Sequence, residues 1–213
     1  MALKYKTYTL GALQNNTYIV YDEDSRCALL IDPADSTVIL KFIHENSLKL
    51  NYILVTHAHF DHIHAVNEIR IAKKIDKPKV GLHKSDRFLW QSGAGARAFG
   101  LVYKSGELPE MVLNQNQKIE CGNHFLEVRH TPGHTAGHVI FYSLDLGAVF
   151  CGDLIFYKSI GRTDLEGGNE EMLLKSIREQ VLTLPDSTLL LPGHGPATTI
   201  GFEKQNNPFL FSQ

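Results

Sequence analysis

Three histidines and one aspartate lie within the short segment 57–62, which reads HAHFDH. Side chains two positions apart lie on the same side of an extended chain, so His57 and His59 are placed to bind one metal ion. Asp61 and His62 would then turn toward a second ion. Because an apolar, strand-like run leads straight into this segment, the pattern favours two adjacent metal sites over a histidine-rich surface loop.

Three later residues supply the donors that such a pair of ions still needs. His134 and His194 each follow a Pro-Gly pair, and Asp153 follows an apolar, strand-like run. His134 would complete a three-histidine site, the two oxygens of Asp153 would reach both ions, and His194 would give the last imidazole. His138 begins the next predicted strand, so we expect it to support the site rather than to bind metal.

The elements that carry these residues are predicted from periodicity and turn chemistry. Segments rich in β-forming residues, separated by turn residues such as Asn15 and Asn16, predict strands at 4–10, 17–21, 27–31, 52–55, 125–130, 139–143, 148–151 and 188–191. Apolar residues at helical spacing predict helices at 36–46, 63–75 and 170–184. Asn169 is expected to cap the last helix and Pro185 to end it.

The two halves of the chain repeat one order of elements. In the first half a strand ends at Asp32, a helix follows, and the next strand leads to His57; in the second half the corresponding strands lead to Asp153 and His194. This repeat predicts an α/β fold with two sheets and helices outside each sheet. Functional residues would lie in loops at the sheet ends. Because no linker or low-complexity stretch interrupts the chain, we predict a single domain over 1–213.

The composition argues against some classes of partner. The chain has 213 residues, a net charge of −2 and 43% apolar residues, so it offers no basic face for nucleic acid. The N-terminal residues lack the long apolar stretch of a signal peptide or membrane span, which predicts a cytoplasmic protein with no membrane partner. Cys27, Cys121 and Cys151 share no close spacing and lie in or beside apolar runs, so we expect them to be buried and reduced.

In the identity and order of these ligands, the sequence closely resembles the metallo-β-lactamase superfamily, essentially over its whole length. The resemblance implies a four-layer αβ/βα sandwich with two mixed sheets and helices on the outer faces. It also implies the division of the seven ligands between the two ions. The first ion would be held by His57, His59 and His134 and the second by Asp61, His62 and His194, with Asp153 between them.

Within the superfamily, the sequence looks like the short bacterial glyoxalase II-type enzymes. The similarity rests on the segment 159–164 (SIGRTD) and on the tail from 195 to 209. It implies that Arg162 binds the substrate, although a surface ion pair with Asp164 or Glu166 is the alternative. Because 19 residues follow His194, we expect no helical glutathione-binding domain like that of the longer glyoxalase II enzymes. His64 stands where relatives usually have glycine, and the stretch 92–100 is a candidate loop at the site mouth.

The predicted reaction is hydrolysis. Two cations a few ångströms apart lower the pKa of a shared water from about 16 toward 7, which provides hydroxide at neutral pH. We expect two metal ions per chain, zinc first, with iron or manganese as alternatives, and Asp61 to help orient the hydroxide. A thioester suits this site because a thiolate leaves without protonation. The expected substrate is therefore a small-molecule thioester, S-lactoylglutathione or a related 2-hydroxyacyl thioester.

Two other interpretations stay open at this stage. A persulfide dioxygenase shares this fold and a similar Gly-Arg-Thr-Asp segment, but it uses a single iron and molecular oxygen. A non-enzymatic metal-binding module is the third interpretation. Metal content measured together with oxygen uptake would distinguish them.

Overall fold

The computed structural model describes residues 3–73 and 75–211, and its strands form two six-stranded mixed sheets. In the first sheet β1 to β3 are antiparallel neighbours, and β3 to β6 are parallel. Its strands, in spatial order, are β1 (Leu3–Leu10), β2 (Asn15–Asp22), β3 (Cys27–Ile31), β4 (Lys49–Leu54), β5 (Lys79–His83) and β6 (Met111–Leu113).

The second sheet repeats this mixture of parallel and antiparallel pairs. Its strands are β7 (Lys118–Cys121), β8 (His124–His130), β9 (Val139–Ser143), β10 (Ala148–Gly152), β13 (Leu189–Pro192) and β14 (Thr198–Thr199), in that spatial order. Here β10 pairs antiparallel with β9 and parallel with β13, just as β3 pairs with β2 and β4 in the first sheet. A small hairpin of β11 (Ile155–Phe156) and β12 (Ser159–Ile160) lies between β10 and the following helix.

Short helices connect and cover the strands. They are α1 (Thr37–Glu45), α2 (Phe60–Ile63), α3 (Val66–Arg70), α4 (Arg87–Gln91), α5 (Glu170–Ser176) and α6 (Ile200–Asn206). None of the helices in the described part of the chain is both long enough and apolar enough to span a bilayer.

Three apolar clusters define four layers. The central cluster lies between the sheets, where β2 and β3 side chains meet Phe141 and Phe150 of the second sheet. A second cluster buries one face of α1, through Ile39 and Ile43, against the outer side of the first sheet. The third packs Leu173 and its helical neighbours on the outer side of the second sheet. Burial of these faces confirms the predicted αβ/βα sandwich and its α/β class.

The first hairpin corrects one prediction. Asn15 and Asn16 are not turn residues; both are buried in β2, and the turn is formed by residues 11–14. The Asn16 amide Nδ2 donates hydrogen bonds to the carbonyl oxygens of Pro192 and Gly195, at 3.1 and 2.8 Å. Asparagine is favoured here because its amide binds the loop of another sheet, a contact that local turn chemistry does not reveal.

Two predicted helices are shorter or less regular than expected. The helix predicted over 63–75 is reduced to α3, Val66–Arg70. It is separated from α2, which ends at Ile63, where the Ala65 amide donates to the carbonyl of Pro33, outside the helix, at 2.9 Å. The helix predicted over 170–184 begins as expected, with the Asn169 side chain accepting from the Met172 amide. Its second half, Ile177–Val181, widens into a π-helical turn.

Candidate metal centre

The predicted ligands meet at one end of the sandwich, beyond the carboxyl ends of parallel strands. The HAHFDH segment follows β4 and runs into α2, which contains Asp61 and His62; the residue after β10 is Asp153, and the loop after β13 carries His194. His134 lies in the loop between β8 and β9. That loop is held close to α5, since a Cβ added at Gly133 would lie 2.3 Å from the Leu173 backbone. The fold thus joins four distant segments at one place.

His57, His59 and His134 form a compact group of imidazoles. His134 Nε2 lies 2.9 Å from His59 Nδ1 and 3.2 Å from His57 Nε2. All three rings are buried. Three ring nitrogens that face one another at this distance are arranged to share one cation.

Asp61, His62 and His194 form the adjoining group. Asp61 Oδ2 lies 3.1 Å from His194 Nε2 and 3.5 Å from His62 Nε2. Asp153 lies between the two groups and faces both. Its Oδ1 is 3.4 Å from His62 Nε2, whereas its Oδ2 is 3.6 Å from His134 Nε2 and 3.8 Å from His194 Nε2.

The chemistry of these donors fits metal ions. Burial lowers the pKa of His57 well below its usual value and that of His59 to about 3, with neighbouring imidazoles adding to the effect, so both rings are neutral and keep lone pairs for a metal. His62 Nε2 and Asp153 Oδ1 are buried without a hydrogen-bond partner among the described residues. Orphaned polar atoms are costly to bury, and a cation would satisfy both.

The second group requires positive charge. Burial acts to lower the pKa of His62, but Asp61, Asp153 and Asp32 outweigh it and raise that pKa well above its usual value. Burial acts to raise the pKa of Asp153, but His62 and other imidazoles lower it overall. Asp61 and Asp153, whose pKa values are both lowered, therefore remain ionised beside one buried imidazole, and a divalent cation would supply the charge that they attract.

A buried carboxylate behind the ligands fixes two of the imidazoles. Asp32 Oδ2 accepts hydrogen bonds from His62 Nδ1 at 2.9 Å and from the Thr56 hydroxyl at 2.6 Å, and its Oδ1 accepts from the Thr56 amide at 2.8 Å. Because the Thr56 hydroxyl proton is directed to Asp32, its oxygen accepts from His57 Nδ1 at 3.0 Å. With the Nδ1 protons held by these partners, Nε2 of His57 faces the centre with a lone pair, and Nε2 of His62 would offer one once a bound cation displaced its second proton.

Other contacts hold the loops themselves. The Asp86 carboxylate accepts from the Ala58 amide at 2.9 Å, from the Thr135 hydroxyl at 2.8 Å and from the Gly137 amide at 2.6 Å, so it links the first ligand loop to the loop of His134. His138 accepts from the Asp153 amide through Nε2 at 3.1 Å. This contact agrees with the supporting role expected for His138.

Backbone carbonyls orient the remaining ligands. His134 Nδ1 donates to the carbonyl of Arg162 at 2.7 Å, and His194 Nδ1 donates to that of Leu13 at 3.0 Å. Sequence reasoning did not predict the parts played by Asp32, Thr56 and Asp86. One signal was available for Asp32, which occupies the same place in the first half as Asp153 does in the second.

The two groups lie at the floor of an open cleft of about 390 Å³, with Phe99, Phe156 and Arg162 among its walls. Phe99 belongs to the 92–100 stretch, which confirms that this stretch lies at the site mouth. The exposed Arg162 side chain pairs with Asp164 through Nε and Nη2, at 2.7 Å each. This is the surface pair that the sequence allowed, formed at the wall of the cleft. His64 is exposed and stacks on Tyr103.

All three cysteines are free and buried, as predicted. Burial also raises the pKa of the Cys151 thiol. Cys151 packs in the outer apolar cluster of the second sheet rather than toward the ligands.

Comparison with known proteins agrees with this geometry. The family model of the metallo-beta-lactamase superfamily matches residues 10–194. The chain is 39% identical to a probable metallo-hydrolase, YqgX of Bacillus subtilis, over 98% of both chains. It is 35% identical to the hydroxyacylglutathione hydrolase GloC of Haemophilus influenzae, over 95% of both.

Solved structures show the same fold. The BLEG-1 B3 metallo-beta-lactamase superposes with a TM-score of 0.90 at 37% identity, over 98% of this chain and all of that one. TTHA1623, solved in a di-iron-bound form, has a TM-score of 0.85 at 40% identity, over 96% of this chain and all of that one. ETHE1 from Myxococcus xanthus has a TM-score of 0.79 at 29% identity, over 96% of this chain and 83% of that one.

The chain belongs to the metallo-beta-lactamase superfamily. It is a metal-dependent hydrolase of that superfamily, and the fold together with the His and Asp cluster suggests a dinuclear metal site.

Proposed function

We propose that this hydrolase cleaves 2-hydroxyacyl thioesters, with S-lactoylglutathione as the first test substrate. In this proposal one ion is held by His57, His59 and His134 and the other by Asp61, His62 and His194, with Asp153 between them. The similarity to a hydroxyacylglutathione hydrolase of nearly the same length supports this substrate class.

The observation that carries the proposal is that the described lining of the cleft offers no carboxyl, imidazole or ammonium group outside the ligand set to protonate a leaving group. Among the described residues that line it, the ionisable side chains outside the ligand set reduce to Arg162, whose guanidinium does not give up its proton. An amide nitrogen or an alkoxide leaves as a strong base and needs a general acid, whereas a thiolate leaves unprotonated. The cleft therefore favours carbon–sulfur over carbon–nitrogen or carbon–oxygen bonds.

The chain's own residues position the reaction. Bound divalent cations would make water a nucleophile at neutral pH and polarise the thioester carbonyl. Asp32 and Thr56 hold His62 and His57 in the tautomers that face the centre, so the cluster is organised before substrate binds. Asp61, which lines the cleft, is placed to orient the attacking water.

Arg162 is the proposed contact for a substrate carboxylate. Its pair with Asp164 uses Nε and Nη2, so Nη1 is the guanidinium nitrogen that is left for a ligand. Because both partners are at least half exposed, the ion pair contributes little stability and a bound carboxylate competes with it readily.

The test compares two leaving groups on one acyl group. Protein loaded with zinc or with iron is given S-lactoylglutathione and an oxygen ester of lactate, and thiol or alcohol release is followed. We expect fast thiol release and slow alcohol release. Equal rates for the two esters would contradict the leaving-group argument.

Oxygen consumption with glutathione persulfide is measured on the same preparations. Rapid oxygen uptake by protein that contains one iron, without thiol release from S-lactoylglutathione, would replace the hydrolase by a persulfide dioxygenase. Asp145→Asn serves as a control for protein preparation and metal loading, because it changes an exposed carboxylate that accepts from His124. It should behave like the wild-type protein in both assays.

A further inference from the structure

A second cavity adjoins the cleft that holds the metal ligands. It encloses about 340 Å³, a volume in the range of small-molecule pockets. Leu13 and Asp61 line both spaces. If the reacting carbonyl of a substrate lies at the ligand cluster, the group on one side of the carbonyl would lie in the cleft. The group on the other side could reach the second cavity.

The second cavity is apolar. Its lining includes the tip of the first hairpin, Leu10 to Leu13, together with Ala34, Phe60, Leu101 and Val102. Several of these side chains are unusually exposed for apolar residues, with 41% of Leu13, 49% of Leu101 and 95% of Val102 accessible to solvent. Clustered exposed apolar side chains beside a functional site are typical of a ligand-binding surface, because a bound apolar group removes them from water.

Among the described residues, the lining of this cavity contains no lysine or arginine to pair with an anionic ligand. Among the described lining residues, the ionisable side chains are Asp61, His64 and Tyr103. Tyr103 is neutral, since burial raises its pKa to about 12, and its hydroxyl donates to the carbonyl of Ile63 at 3.2 Å. Asp61 faces the metal ligands. A glutathione moiety carries carboxylates whose burial here would be unfavourable, whereas Arg162 borders the other space.

We propose that this apolar cavity binds the acyl side chain of the substrate, while the thiol half occupies the cleft on the Arg162 side. The inference rests on the proposed thioester hydrolysis and deepens it. The preferred substrates are 2-hydroxyacyl thioesters with unbranched side chains several carbons longer than lactoyl. Hydrolysis adds water across the bond: the carbon–sulfur bond breaks, a carbon–oxygen bond forms, and the products are a 2-hydroxy acid and a thiol.

A chain-length series tests this assignment. Each methylene group transferred from water to an apolar pocket increases binding about fourfold, so kcat/KM should rise on the order of fiftyfold from the three-carbon to the six-carbon acyl group. The same series of free 2-hydroxy acids is titrated into the metal-loaded protein by calorimetry. Their dissociation constants should fall by a similar factor per methylene.

Leu101→Asp places a carboxylate in the cavity wall at a half-exposed position, so the fold is not expected to suffer. This change should flatten the chain-length dependence. Leu144→Asp is the control, because Leu144 is an exposed leucine that follows the last residue of β9 and does not line the cavity. It should keep the wild-type slope.

The two measurements separate this inference from the proposed reaction. If no thioester is hydrolysed but the acids bind more tightly with length, and Leu101→Asp abolishes that trend, the cavity assignment stands while the reaction fails. If S-lactoylglutathione is hydrolysed but neither kcat/KM nor acid binding depends on chain length, the cavity assignment is wrong. An unchanged slope in Leu101→Asp would overturn it as well.

Discussion

Replacing Asp32 by asparagine should weaken metal binding although Asp32 is not one of the predicted ligands. The carboxylate accepts three hydrogen bonds, two from Thr56 and one from His62. In Asp32→Asn the amide oxygen takes the place that receives the Thr56 amide proton, so the amide nitrogen faces the Thr56 hydroxyl and His62 Nδ1. The amide nitrogen and His62 Nδ1 would then both be hydrogen-bond donors. His62 avoids this by carrying its proton on Nε2 instead of Nδ1, and Nε2 then has no lone pair for the metal.

The expected loss can be estimated from these contacts. Changes to the partners of metal ligands typically reduce metal affinity about 10- to 100-fold, or about 1.4–2.7 kcal/mol. The group of Asp61, His62 and His194 should lose that amount. The group that contains His57 should lose less, because it is affected through Thr56. Two hydrogen bonds to a buried charge are also lost, so the metal-free protein should unfold about 3 kcal/mol more easily.

Metal affinity is measured by competition with a chromophoric zinc chelator, and stability by urea unfolding in excess EDTA. Asp35→Asn is the control, because Asp35 accepts from the Thr37 amide at 2.8 Å and asparagine serves equally well there. Two zinc ions bound with unchanged affinities in Asp32→Asn would refute the tautomer argument, and wild-type stability in EDTA would refute the hydrogen-bond argument.

Three further predictions follow from the same geometry. Asp153→Ala should remove far more metal than His64→Ala in elemental analysis, because only Asp153 faces both ligand groups; equal losses would mean that the ligands are misassigned. Arg162→Ala should raise KM for S-lactoylglutathione more than it lowers kcat in steady-state assays, because the carbonyl that orients His134 is kept. Burial and the stacked His130 ring lower the pKa of His83 to about 4. Neutral His83 therefore contributes stability above about pH 6.5 that is lost as the pH falls toward 4, so His83→Gln should flatten that part of the pH dependence of unfolding.

The candidate ligands, which the structure brings together, could be selected from sequence because their signal is local. Four donors fall within 57–62, and His134 and His194 stand beside glycines at the ends of recognisable strands. The parts played by Asp32 and Asp86 depend on contacts over 24 to 51 positions of sequence, which periodicity does not encode. A lone aspartate after a strand is also an ordinary turn residue, so its type alone carries little information.

The errors have the same origin. The helix expected over 63–75 is limited to α3 and separated from α2 where the Ala65 amide is bonded to Pro33. Asn16 lies in β2 rather than in a turn, because its amide binds the loop of His194. In both places a tertiary hydrogen bond outweighs a local preference of about 1 kcal/mol or less per residue. Both contacts are close to the ligand loops, where the secondary structure is irregular and the side chains are positioned by tertiary hydrogen bonds.

The internal repeat explains why two aspartates at equivalent positions have different tasks. Asp32 follows β3 and Asp153 follows β10, and each strand pairs in parallel with the strand that delivers a ligand histidine. His62 lies between the two carboxylates, with Nδ1 2.9 Å from Asp32 and Nε2 3.4 Å from Asp153. The Asp32 contact is hydrogen-bonded and buried, so it fixes the proton, whereas the Asp153 oxygen has no hydrogen-bond partner among the described residues and is left for a cation. One copy of the repeat therefore orients the imidazole, and the other is placed to share a metal ion with it.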